Sequence, residues 1–77
     1  MAKAYVLITT DPDVEDEFIK DVKKIEGVVE ASSVYGIYDF IIIVEAETME
    51  KVKKIITLNI RRLRDVKGTI TLISVGS

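Results

Sequence analysis

The chain has no cysteine, no histidine and no tryptophan, and a single proline among its 77 residues. Without cysteine there is no disulfide and no thiol nucleophile. Without Cys or His, zinc fingers, most transition-metal sites and Ser-His catalytic pairs are excluded. No side chain titrates near neutrality unperturbed. These absences argue against an enzyme, and no catalytic residue, metal or cofactor is expected. Long apolar runs are missing as well. The stretch Phe40–Val44 falls far short of the ~20 residues a membrane span needs, and no basic segment precedes an apolar one at Met1. A soluble, cytoplasmic protein without a membrane partner is expected. Glutamine is also absent while charged residues reach 31%, a balance seen in thermophile proteins, which avoid labile side chains and favour ion pairs.

With 48% hydrophobic residues, the chain is too apolar to be disordered and too short for two cores, so one domain spanning residues 1–77 is expected. A core of this size supplies roughly 3–5 kcal/mol unaided. With disulfides and metals excluded, association is the remaining supplement.

Ala4–Thr10 is dense in β-branched and aromatic residues and stops at Asp-Pro-Asp, which marks a strand. Asp11 is placed to cap a first helix with Pro12 at its first position, and Glu15, Asp16 and Glu17 favour the positive end of the helix dipole. Val14, Phe18, Val22 and Ile25 form one apolar stripe that Gly27 terminates. Strands follow over 28–35 and 38–46, separated by a turn at Gly36. Thr48 caps a second helix carrying Val52, Ile56, Asn59, Ile60 and Leu63 and ending near Asp65, and 66–75 forms a fourth strand. A weak repeat underlies this order: residues 24–36 are echoed by 62–76. Two split βαβ halves with right-handed crossovers imply an α+β, ferredoxin-like βαββαβ sandwich with a four-stranded antiparallel sheet.

Two helices cover one face of such a sheet and leave the other bare. A bare face in water should alternate apolar with polar residues. Here Phe40, Ile42 and Val44 oppose Ile41 and Ile43. Tyr5 and Leu7 oppose Ala4, Val6 and Ile8, while Ile70 and Leu72 oppose Ile73 and Val75. Both faces read as buried, so a homodimer packed sheet to sheet, a dimeric α+β barrel, is expected.

Charge is segregated along the chain. Residues 1–50 hold 4 Lys and 12 acids, net −8, and residues 51–77 hold 7 Lys or Arg and 1 acid, net +6. Lys51, Lys53, Lys54, Arg61, Arg62, Arg64 and Lys67 suit phosphates. The overall pI of about 5.0 and the lack of a helix-turn-helix pattern or an aromatic platform speak against direct nucleic-acid binding. Acidic-to-basic pairing within or between subunits is the simpler reading.

Many functions share this architecture, so function must come from the site. Metal-chaperone versions need a cysteine pair, RNA-recognition versions need aromatics in a basic third strand, and small dimeric α+β enzymes often rely on histidine; all three signals are absent. The segment Val34-Tyr35-Gly36-Ile37-Tyr38-Asp39 followed by Phe40–Val44, with Val66 and Thr69-Ile70-Thr71 after the second helix, resembles the effector-binding (RAM) domain of the Lrp/AsnC family, the feast/famine regulators. The resemblance runs through essentially the whole chain. It departs in two places. Regulators of the family carry an N-terminal helix-turn-helix domain, whereas the first strand here follows Met1 at once, which suggests a stand-alone RAM form. Asp65 stands where the family has Gly before the Val of strand four, with Gly68 later, which leaves that strand's register open.

The resemblance implies a small-molecule amino acid bound near the strand two to strand three turn, at a junction between dimers that assemble further. Carried onto this chain, Gly36 admits a ligand close to the backbone, and the Ile37 and Tyr38 amides donate to an α-carboxylate. Asp39 accepts from an α-ammonium, Thr69 and Thr71 supply hydroxyls, and Tyr35 or Tyr38 walls the side-chain pocket. Each has a plainer reading: Gly36 for positive φ, Asp39 for bonding turn backbone, the threonines as ordinary strand residues, the tyrosines as interface packing. The expected function is an amino-acid-binding module that oligomerises and modulates Lrp/AsnC-type regulators. A small dimeric α+β barrel enzyme, with Asp39 or a tyrosine as acid or base, is the alternative. A purely structural oligomer is a third.

Overall fold

The computed structural model describes residues 1–12 and 15–75, with Glu15 described by its backbone alone. β1 spans Ala2–Thr10 and alternates strictly: Ala4, Val6 and Ile8 are fully buried, while Tyr5 and Leu7 on the other face are half-buried. α1 runs Glu15–Lys23 and buries Phe18 and Val22 four residues apart, one turn of the helix. The Asp11 cap, the first turn and Val14 belong to a segment whose residues 13 and 14 lie outside the described residues. The Asp11 carboxylate itself lies 3.0 Å from Lys67 Nζ.

β2 is Val28–Ser33 and β3 is Phe40–Ala46, both shorter at the turn side than the pattern predicts: Val34, Tyr35, Tyr38 and Asp39 belong to the loop. α2 is Met49–Ile55, opened by Thr48, whose side chain accepts from the Lys51 amide at 3.2 Å as expected. It continues as a π-helical turn, Ile56–Ile60, in which the Arg61 amide donates to the Ile56 carbonyl at 2.9 Å. The helix therefore ends at Ile60 and not near Asp65. Asn59, expected on the apolar stripe, is exposed, because the widened turn places Ile56 and Ile60 together in the core. β4 is Val66–Ile73.

The sheet order is β2-β3-β1-β4, with each neighbouring pair antiparallel, the ferredoxin-like βαββαβ arrangement. Against β1, β4 runs in regular register from Ile73 opposite Ala4 to Gly68 opposite Thr9, then slips so that Val66 opposes Thr10. Lys67 is the extra residue of a β-bulge. That settles the register around Asp65 and Gly68 and returns Val66 to the core-facing side, where it packs.

The core lies between the helices and the sheet. Ile8, Ile42, Val6, Val44, Val22, Val52 and Ile60 are its largest fully buried side chains, each worth about 1.5–3 kcal/mol relative to exposure. Phe18 of α1 meets Phe40 of β3 with ring centroids 4.6 Å apart and tilted by 34°, a favourable offset geometry. Among the described residues, no element of one chain covers the opposite sheet face. Ile41 and Ile43 are half-buried by neighbouring strands, and Ile70 and Leu72 are 45% and 51% exposed.

Candidate functional site

The β2–β3 connection is closed at its base by the Val34 amide, which donates to the Asp39 carbonyl at 2.9 Å, leaving Tyr35–Tyr38 as a four-residue tip. Gly36 has φ +131°, a region L side chains rarely adopt, and a Cβ built there meets nothing within 4 Å. Within this chain glycine is thus required by backbone angle and not by crowding. The tip presents its side chains outward: Tyr35 is fully exposed and Ile37 is 84% exposed, while Tyr38 is half-buried. The Ile37 and Tyr38 amides donate to no other described residue.

Asp39 anchors the loop to β1 twice. Its amide donates to the Ile8 carbonyl at 2.8 Å, and its Oδ2 accepts from the Thr10 amide at 2.9 Å. One carboxylate oxygen is engaged and the other is available, since each oxygen can accept more than one bond. The residue combines a positioning job with a free acceptor beside two unengaged amides.

Thr69 and Thr71 lie elsewhere. They pair with Ile8 and Val6, so both stand on the helix-facing side of β4, while β3, which Asp39 enters, lies on the far side of β1. Phe40 and Thr69 are both opposite Ile8, two strand spacings apart or roughly 10 Å. One chain brings Tyr35, Gly36, Ile37, Tyr38 and Asp39 together and does not add the threonines to them.

Three of the surface clefts are lined by described residues. One of about 490 Å³ opens at the other end of the sheet, between Gly27, Glu45, Ala46, Lys51 and Ile55. Another of about 460 Å³ separates Glu17, Phe18 and Asp21 of α1 from Leu63, Arg64 and Asp65. The third, about 210 Å³, runs between the end of α2 and β4, lined by Lys53, Ile56, Thr57, Arg61, Thr71 and Ile73. None of these three is lined by residues 35–39. The third was not anticipated from sequence, although Lys53, Thr57 and Arg61 recur every four residues and signal a single helix face. Among the described residues no group of three or more carboxylates forms a metal-binding cluster, and no helix is long and apolar enough to cross a membrane.

Residues 3–77 match the Lrp/AsnC ligand binding domain, and the chain belongs to that family. It is 36% identical over 74 residues to an uncharacterised HTH-type transcriptional regulator of Pyrococcus furiosus, covering 92% of this chain and 49% of the relative. The chain thus spans about half the length of the curated relatives it matches. Among solved structures, FFRP-DM1 superposes with a TM-score of 0.91 at 33% identity, covering 97% of this chain and 100% of that one. The Neisseria meningitidis transcriptional regulator NMB0573, solved as an L-Met complex, shares the fold with a TM-score of 0.85 at 13% identity, covering 99% of this chain and 51% of that one.

Proposed function

We propose that this chain is an amino-acid-binding regulatory module, a single RAM domain that works as a homodimer, assembles into a larger ring of dimers and modulates Lrp/AsnC-type transcription regulators by co-assembly. The observation that carries the reading is the family match across residues 3–77. The L-Met bound by the Neisseria relative supports an amino acid as the ligand class. In this reading the Ile37 and Tyr38 amides hold the α-carboxylate, and the free oxygen of Asp39 takes the α-ammonium. Tyr35 or Tyr38 covers the side chain. Because Thr69 and Thr71 stand two strands from the loop, their hydroxyls reach the ligand only from a neighbouring subunit, which makes the site a junction. The dimer buries Ile41, Ile43, Ile70 and Leu72, the apolar face left open in one chain. The module acts in the cytoplasm, and its charged, glutamine-free composition together with its Pyrococcus relatives supports a thermophilic source.

Isothermal titration with each standard amino acid tests the reading. Saturable heat from one or a few of them is expected, and silence across the panel overturns amino-acid binding.

A further inference from the structure

The β2–β3 loop lines none of the three clefts described above. It offers two unengaged amides and the Asp39 carboxylate, contacts for the α-groups that every amino acid shares. Selectivity among amino acids comes from whatever surface meets the side chain.

Thr71 indicates which surface that is. In the proposed junction it reaches the ligand from a neighbouring subunit, and it lines the groove between α2 and β4 together with Lys53, Thr57 and Arg61 over a floor of Ile56 and Ile73. At about 210 Å³ the groove is smaller than the ~300 Å³ at which sites for whole ligands begin, so it suits one part of a ligand. The loop can hold the head of an amino acid, and the groove its side chain.

Charge specifies that side chain. Neither Lys53 nor Arg61 is paired with a carboxylate among the described residues, whereas Lys51 and Lys54 on the same helix pair with Glu47 and Glu50. The π turn aligns the two unpaired cations. Four residues overshoot an α turn of 3.6 residues and fall short of the wider π turn, so the drift from Lys53 to Thr57 is reversed from Thr57 to Arg61, and both cations border one groove. A loop closing over it brings no acid from Val34 to Tyr38, and Asp39 is taken by the α-ammonium. Lys53 and Arg61 give +2 and Asp39 gives −1, so a zwitterionic ligand leaves the closed junction at +1, a costly imbalance away from water. A ligand with one further carboxylate brings it to zero.

We propose that, within the amino-acid-binding reading on which this inference rests, the ligand is an amino acid with a side-chain carboxylate, and that Lys53 and Arg61 of a neighbouring subunit select it. The α-carboxylate and α-ammonium stay with the loop. The methylene stem lies on Ile56 and Ile73, and the side-chain carboxylate takes a bidentate bond from Arg61 and a single one from Lys53. Eight residues separate the two cations, roughly 12 Å of helix, and their long side chains close that span from both ends.

Isothermal titration of the whole protein with L-glutamate and with its neutral counterpart L-glutamine tests the proposal through the ratio of the two affinities. Glutamate is expected to bind about tenfold or more tightly than glutamine. In the doubly substituted Lys53→Gln, Arg61→Gln protein the ratio should fall to about one, because glutamate loses its partners and glutamine does not. Arg61→Lys, which keeps the charge, should retain more of the ratio than Arg61→Gln, a comparison that stands even if the double variant binds neither ligand. Arg62→Gln, exposed and outside the groove, should leave the ratio unchanged. 2-Oxoglutarate, with both carboxylates and no ammonium, should bind about tenfold or more weakly than glutamate. Glutamine binding as tightly as glutamate, methionine binding more tightly than either, or 2-oxoglutarate matching glutamate overturns the acidic amino acid as ligand. The first two of these leave amino-acid binding standing, whereas silence across the standard amino acids overturns both. A glutamate preference that survives removal of both cations, or that Arg62→Gln reduces equally, overturns the role given to Lys53 and Arg61.

Discussion

The Asp39 carboxylate accepts a hydrogen bond from the Thr10 amide at 2.9 Å, across 29 residues of sequence. The side chain that the proposed ligand site needs as an acceptor is also the clamp that ties the β2–β3 loop to the end of β1. Asn can keep the bond to Thr10 through its carbonyl oxygen but carries no charge. Asp39→Asn is therefore expected to melt within about 0.5 kcal/mol of the parent and to lose amino-acid binding. Asp39→Ala should cost about 1 kcal/mol further, and thermal melts beside titrations separate the two roles.

The two positive-φ glycines should respond differently to alanine. At Gly36 a Cβ has open space, so Gly36→Ala costs only backbone strain, about 1 kcal/mol. At Gly27, with φ +98°, a Cβ would sit 2.5 Å from Ile55 Cδ1 and 3.3 Å from the Glu45 carbonyl. Ile55 Cδ1 can rotate away but the Glu45 carbonyl cannot, so Gly27→Ala adds a tight backbone contact to the strain and should cost about 1–3 kcal/mol, more than at Gly36. Denaturant midpoints for the two variants give the order directly.

Leu72 is 51% exposed on the uncovered sheet face. In a sheet-to-sheet dimer a lysine there would have to be buried unpaired. Leu72→Lys is expected to yield monomers by sedimentation velocity, whereas Lys20→Glu, exposed on α1 on the helix side of the sheet, should not. A parent protein that is already monomeric at micromolar concentration would remove the dimer from the proposed function.

Phe40→Ala removes the ring that Phe18 stacks against and opens a cavity where α1 meets the sheet. The expected loss is about 3–5 kcal/mol, comparable to the whole stability of so small a domain, and far-ultraviolet circular dichroism at rising temperature reads it.

Much of the fold is legible in the residues, for local reasons. β1 and β3 alternate or run as β-branched segments, and Gly27, Gly36 and Thr48 mark boundaries with chemistry that acts within a turn. The unbalanced second face of the sheet is legible too, because Ile41, Ile43, Ile70 and Leu72 fall two residues apart. The π turn is not, since Val52, Ile56 and Ile60 repeat every four residues and fit an α-helix equally well. Nor is the Asp39 clamp, whose partner is a backbone amide on another strand. The loop residues of the candidate site were legible as a group. The distance of Thr69 and Thr71 from them was not, because it depends on β1 being threaded between β3 and β4.

The bulge at Lys67 bears on how this strand tolerates changes in length. Val66 opposes Thr10 and Gly68 opposes Thr9, so removing Lys67 would join two residues already in ladder positions and leave every other side chain on its present face. The deletion would forfeit the contact with Asp11 and little else. A segment that is one residue shorter at this point encodes the same sheet, so insertions and deletions can accumulate between the second helix and the last strand without a change of phase in the core.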